Sequence, residues 1–129
     1  MVRSLFLTGI LFAGCAHGAD WSQEQVAEEA AYQISHAIDT AQTVNIGKER
    51  RADGTYRYHE VESNFVIGRE PSPGAAIAYM GGIAVAHAAI TQVLISQNAP
   101  RWAVRSWQIV TLGWSAKHVV CNFRVGIRP

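Results

Sequence analysis

Charged side chains are scarce in this sequence. Asp, Glu, Lys and Arg make up 16% of its 129 residues, whereas soluble domains typically contain about 25%. The formal net charge is only +1, and no basic stripe interleaved with aromatic residues is present, which argues against nucleic-acid binding. Apolar residues reach 49%, so the composition indicates a membrane-associated protein or an Ala-rich helical one. The length allows a single small domain.

Cysteines and the usual catalytic motifs are sparse as well. The two cysteines are Cys15 and Cys121, and removal of a leader that contains the first would leave no internal disulfide. The sequence has no His-x-x-x-His, His-Glu-x-x-His or Cys-x-x-Cys spacing, no Gly-x-Ser-x-Gly elbow and no phosphate-binding glycine loop. It therefore predicts no metal, no cofactor and no catalytic residue.

Residues 1–18 are typical of an export signal. Arg3 supplies a positive start, and the apolar run behind it is too short to cross a bilayer. Small residues favour cleavage before Ala19. Alternatively, Cys15 ends a run that resembles a bacterial lipobox and would carry lipid, although Phe12 stands where that motif usually has Leu, Val or Ile. An uncleaved anchor is the third alternative, and all three place the chain in the bacterial cell envelope.

The mature chain, residues 19–129, is predicted to be an all-α bundle of three main helices, at about 23–46, 73–97 and 102–122. Ser22 and Gln25 form a capping-box pair at the first helix. Glu24, Glu28 and Glu29 suit the positive end of its dipole. A short β-hairpin is possible in the first loop, where Asp53-Gly54 is a type I′ turn signal.

A polar stripe marks the first helix. Tyr32, His36, Asp39 and Thr43 follow one another at spacings of four, three and four, which places them on one face. We expect His36 and Asp39 to be buried and to meet Glu62 or Asn64 of the following loop, with His87 of the second helix as a further partner. The alternative is that this face is solvated. The full candidate cluster comprises His36, Asp39, Thr43, Glu60, Glu62, Asn64, Arg69 and His87.

The second predicted helix is apolar throughout. No Asp, Glu, Lys or Arg occurs between Glu70 and Arg101, and the run at 74–96 is long enough to span a membrane. Small residues recur on it at a spacing of four, a pattern that lets helices pack closely in lipid and that predicts a protein partner or a homo-oligomer. This ridge consists of Gly74, Ala78, Gly82 and Ala86.

The order of these features resembles a family of small uncharacterised bacterial and prophage-borne membrane proteins. The resemblance rests on Asp39 and Thr43 in a helix, followed by Glu62-x-Asn64 and a Gly68-x-x-Pro71 turn before a long apolar helix. It implies a helical membrane protein of unknown function and carries no catalytic role.

Three functions remain open from the sequence. The first is a small helical cell-envelope protein, in the inner membrane, with a structural or partner-binding role. The second is an enzyme or metal site built from His36, Asp39, Glu62 and His87, since histidines and carboxylates bind metals and transfer protons. The third is a soluble periplasmic binding module. The missing motifs make an enzyme the weaker expectation.

Overall fold

The protein is all-α in the computed structural model, which describes residues 21–59 and 65–129. Its helices are α1 (Gln23–Ile46), α2 (Pro73–Ser96) and α3 (Arg101–Arg124). The predicted fold class, a small bundle of three main helices, is confirmed. The leader, with its alternatives of cleavage before Ala19 or lipidation at Cys15, lies outside the described residues.

Local chemistry explains where α1 and α2 begin. The Ser22 hydroxyl accepts a hydrogen bond from the Gln25 amide, and the Gln25 side chain accepts one from the Ser22 amide. This reciprocal pair satisfies two amides that a helix start leaves without partners. At α2, the Ser72 hydroxyl accepts from the Ala75 amide, and Pro73 occupies the first helical position, where no amide is needed.

The end of α1 is shaped by a close backbone approach. Gly47 follows the helix with a right-handed conformation (φ −72°), so it does not form the left-handed cap for which glycine is usually selected. A Cβ atom at Gly47 would instead collide with the carbonyl oxygen of Pro71, just before α2. Glycine is therefore required there because the two chain segments pass in contact.

The turn after α1 differs from the predicted type I′ hairpin. Gly54 has a φ of 82°, but Asp53 is not among the described residues with positive φ, and type I′ needs positive φ at both. Instead, the Asp53 carboxylate accepts from the Thr55 hydroxyl and amide, which holds the pKa of Asp53 below its usual value. One antiparallel bridge, Arg50 with Tyr56, forms there, and the described residues contain no strand.

The helices run up, down and up, with α1 at the centre. Near the start of α1, the Gln108 side chain donates to the Gln25 carbonyl, and near its end the Asn122 side chain donates to Asp39. Helix α3 is therefore parallel to α1, and α2 is antiparallel to both. Helix α1 packs extensively against each neighbour, whereas α2 and α3 contact each other much less.

Basic residues are concentrated at one end of this bundle. The Tyr58 hydroxyl donates to the Gly126 carbonyl, so the loop after α1 and the C-terminal tail share that end. Among the described residues, this end carries Lys48, Arg50, Arg51, Arg57, Arg69, Arg124 and Arg128. The opposite end carries Arg101 and Arg105, and Arg105 pairs with Glu24 at 2.8 Å. The asymmetry matches the positive-inside pattern of membrane proteins.

Polar side chains outnumber apolar ones among the buried residues of the bundle, and many large apolar side chains lie on its outside. The buried polar residues are Glu29, Gln33, His36, Asp39, Thr40, Gln42, Thr43, His87, Thr91, Gln108 and Ser115. The buried apolar residues are Tyr32, Val44, Ile46, Ala76, Met80, Val104 and Ile127. The exposed apolar residues on the helices include Ile34 of α1 and, on α2 and α3, Ile77, Val85, Ile90, Val93, Ile109, Val110, Trp114 and Val120. Helix α2 is long and apolar enough to cross a membrane, by length and composition, and among the described helices it alone meets that criterion.

Candidate functional site

An open cleft lies between α2 and α3, and α1 forms its floor. Its volume is about 870 Å³, within the range of small-molecule sites. The floor is the predicted polar stripe of α1: Tyr32, His36, Asp39 and Thr43. Much of the wall is apolar and includes Met80, Ile83 and Ile90 of α2 and Val110 and Trp114 of α3. The cleft exists because α2 and α3 both pack on α1 while barely meeting each other.

Four aromatic rings stack through the middle of the bundle. The His87 ring lies between Tyr32, with centroids 3.6 Å apart, and Trp107, with centroids 5.1 Å apart. The other side of the stack continues from Tyr32 to His36, at 5.4 Å. Planes within about 20° of each other make this a near-parallel column across all three helices. The column fixes the orientation of both histidines.

His87 forms a buried pair with Glu29. Its Nδ1 atom lies 3.0 Å from Glu29 Oε2, and the two side chains are only 2% and 4% exposed. The Gln33 amide donates to Glu29 Oε1 at 2.8 Å, and the Thr91 hydroxyl donates to Oε2 at 3.3 Å. The Glu29 carboxylate can be buried at this position because hydrogen-bond donors from α1 and α2 surround it.

A proton lies between His87 and Glu29, because Nδ1 and a carboxylate oxygen 3.0 Å apart would otherwise be two acceptors facing each other. Either the histidine or the carboxyl group holds it. The other ring nitrogen, Nε2, lies 2.7 Å from the Thr111 hydroxyl oxygen, which also lies 2.7 Å from the Trp107 carbonyl oxygen. The hydroxyl has one proton, which it can donate to either atom.

A second polar group lies about three turns further along α1 than Glu29. The Asn122 side chain donates both to Asp39 Oδ1 at 3.0 Å and to Gln42 Oε1 at 3.2 Å. The Gln42 amide in turn faces the carbonyls of Val119 and Ile127 at 3.4 Å. This network joins α1 to the last turns of α3 and to the tail that follows it.

The predicted candidate residues divide into three sets. His36, Asp39, Thr43 and His87 line the cleft, and His36 and His87 are separated by the Tyr32 ring rather than in contact. Arg69 is exposed and does not line the cleft. The predicted contacts with Glu62 or Asn64, like Glu60, fall outside the described residues.

The small-residue ridge lies on the outer surface of α2. Gly74, Ala78, Gly82 and Ala86 are all exposed, and added Cβ atoms at Gly74 and Gly82 would meet nothing within 4 Å. Ala86 alone also borders the cleft. The ridge is therefore not used for packing within this bundle.

Several site residues were not predicted from the sequence. Glu29 was interpreted only as a complement to the helix dipole, although it precedes His36 by seven residues and so shares its face. In α3 the polar residues Gln108, Thr111, Ser115 and Asn122 recur at intervals of three, four and seven. That periodicity marks an inward polar face and was a signal available in the sequence.

Chemically, the cleft combines hydrogen-bond acceptors and stacked aromatic rings, and His87 in its lining shares a proton with the buried Glu29. Histidine and carboxylate side chains are present, but the described residues contain no group of three His, Cys, Asp or Glu residues arranged to hold a metal ion. The arrangement suits binding of a ligand in a groove with a polar floor and apolar walls.

Comparison of the sequence with protein-family models, with curated proteins and with solved structures gave no match.

Proposed function

We propose that this chain is a three-helix protein of the bacterial inner membrane with a partner-binding role centred on its cleft. The observation that carries the proposal is that most buried side chains of the bundle are polar, while many large apolar side chains of α2 and α3 are exposed. In water this arrangement would expose much apolar surface, which soluble monomers avoid. In lipid the same surface is favourable, and inward polar groups satisfy one another.

The dimensions of the bundle support the same environment. Each helix has 24 residues, or about 36 Å at 1.5 Å per residue, against about 30 Å of hydrocarbon. On α1 and α3, Glu24, Arg101, Arg105 and Arg124 lie near the helix ends, where long side chains reach the interface. Glu29 and Asp39 are buried. The exposed Lys117 lies about two turns before the end of α3, and its long side chain would have to extend to the interface. The basic end, with the loop after α1, would face the cytoplasm.

A charge placed on the outside of α2 tests whether this surface faces lipid or water. Val85 lies at the middle of α2 and is 50% exposed, so Val85→Lys would be a harmless surface change in a soluble bundle, within about 0.5 kcal/mol. At the centre of a membrane helix it would cost about 2.5–3.5 kcal/mol. Gln97→Lys, at the exposed C-cap of the same helix, is the matched control.

We expect the wild type and Gln97→Lys to resist alkaline carbonate washing of membranes, and Val85→Lys to be depleted from that fraction. Release of the wild type into the supernatant, with Val85→Lys behaving like the wild type, would identify a soluble periplasmic module instead.

The intact mass of the exported chain distinguishes the leader alternatives. We expect the mass of a chain that begins at Ala19. The mass of a chain that begins at a lipid-modified Cys15 would identify a lipoprotein.

A further inference from the structure

The floor of the cleft presents hydrogen-bond acceptors. His36 is 6% exposed, and its Nε2 atom lies 2.9 Å from the Met80 carbonyl oxygen. A carbonyl can only accept, so Nε2 carries the proton, and the Nδ1 atom of the neutral ring is an acceptor. One turn away, the Asp39 carboxylate also lines the cleft. Both groups complement a ligand of positive charge.

The charge of the cleft lining is negative. Apart from the histidines, Asp39 is the only described lining residue that bears a formal charge at neutral pH, because no Lys, Arg or Glu lies among them. The histidines that face the cleft are His36, His59, His87 and His118, and His87 shares a proton with Glu29. Asp39 also has polar contacts besides Asn122, so what matters is its charge at the cleft and not a vacant bonding position. A charge in such a poorly hydrated place acts on a ligand more strongly than one in water.

Aromatic rings border the same space. Tyr32, Tyr79, Trp107 and Trp114 all line the cleft. The faces of such rings attract cations, and Trp does so most strongly. The two stacked histidines already cover the faces of Tyr32 and one face of Trp107, and the Lys117 ammonium group lies 5.4 Å from the Trp114 ring centroid. Aliphatic side chains such as Ile83 and Ile90 complete the wall and would contact the apolar part of the same ligand.

We infer that the cleft binds an organic monocation that carries apolar groups, with the positive charge close to Asp39 and the apolar groups between α2 and α3. This inference rests on the proposed binding role of the cleft. An anion would meet the Asp39 charge and no cationic side chain among the described lining residues. A neutral lipid would place apolar atoms against a carboxylate, which removes water from the charge without replacing it.

Two ions of the same shape and opposite charge test the inference. Tetraphenylphosphonium and tetraphenylborate are added to the full chain purified in a non-ionic detergent at pH 8, where histidines are mostly neutral. Equilibrium dialysis measures binding, with protein-free micelles subtracted. We expect tetraphenylphosphonium to bind at least about tenfold more tightly than tetraphenylborate. Equal binding of the two ions, or no binding of the phosphonium, would overturn the inference without any variant.

Asp39→Asn removes the charge and keeps the oxygen that accepts from Asn122. We expect it to weaken phosphonium binding at least about tenfold, a factor that corresponds to about 1.4 kcal/mol. Asp53→Asn removes the same charge from the exposed turn and should leave binding unchanged. Equal effects of the two changes, or no effect of Asp39→Asn, would overturn the role of Asp39. Helical content from circular dichroism checks that each variant is folded, and if Asp39→Asn is not, the wild-type ion preference decides alone.

Membrane residence is a separate outcome, because dialysis measures the purified protein whatever its location in the cell. A chain that binds the phosphonium selectively but washes out of membranes would retain the cation site and lose the proposed membrane function.

Discussion

Replacing His87 with Phe keeps a ring between Tyr32 and Trp107 but removes both nitrogen atoms. Glu29 then loses the partner that lies 3.0 Å from its carboxylate and keeps Gln33 and Thr91. The Glu29 side chain is only 4% exposed, so water cannot replace the lost partner. We expect the free energy of unfolding to fall by about 3–5 kcal/mol, the usual cost of leaving a buried charge alone.

A double-mutant cycle isolates the interaction itself. Two unit charges about 4 Å apart interact by about 4 kcal/mol at an effective dielectric constant of 20. Neutral hydrogen bonds between membrane helices average only about 0.6 kcal/mol and reach about 1.7. We therefore expect Glu29→Gln and His87→Phe to be coupled by about 2–4 kcal/mol, with the double variant losing less than the sum of the two singles.

Unfolding by SDS in mixed micelles, followed by circular dichroism, provides the free energies. The matched control is the neutral pair Ser35 and Ser115, whose hydroxyl oxygens lie 3.0 Å apart between α1 and α3. Its alanine cycle should give a coupling near 0.6 kcal/mol. If the Glu29–His87 coupling is no larger than that of the serines, the pair does not share a charge-assisted hydrogen bond.

Two further predictions concern single positions. Gly47→Ala should lower the free energy of unfolding by about 1–3 kcal/mol, because the new methyl group would collide with the Pro71 carbonyl. Gly82→Ala has open space at its Cβ and should be neutral or stabilising by up to about 1 kcal/mol. Equal melting curves for the two variants would contradict this prediction. Thr55→Val should raise the pKa of Asp53 toward its usual value, because the Thr55 hydroxyl stabilises the charged carboxylate in the wild type. That stabilisation is present above the usual pKa of the group and is lost as the pH falls through the lowered pKa. An NMR titration measures the pKa, and the same value in both proteins would exclude the hydroxyl bond.

The fold was predictable because its signals are local. The capping box at Ser22 and the Ser72-Pro73 start act within one helical turn, so neighbouring residues suffice to place both helix starts. The same is not true of Gly47. Glycine is needed at this position because of the contact with Pro71, which is distant in the sequence and therefore cannot be predicted from neighbouring residues.

The candidate site was predictable on one helix and not between helices. The period of α1 placed Tyr32, His36 and Asp39 on one face, but it did not say whether that face was turned inward. The polar periodicity of α3 marks its inward face, but it does not say which residue of α1 or α2 Thr111 and Asn122 will meet. The rule that apolar residues mark the core also assigns Ile34 to the wrong surface, because Ile34 is 54% exposed.

The central position of α1 has a consequence for how the chain is made. The partners of its inward side chains emerge late: His87 follows Glu29 by 58 residues, Ser115 follows Ser35 by 80, and Asn122 follows Asp39 by 83. At about 5–20 residues per second, α1 would wait roughly 4–16 s for α3 to leave the ribosome. During that interval the inward side chains of α1 lack the hydrogen bonds that α3 later supplies, although Gln33 and the α2 residues His87 and Thr91 reach Glu29 earlier. If the chain enters a membrane as proposed, we expect α1 to remain beside the insertion machinery until α3 arrives.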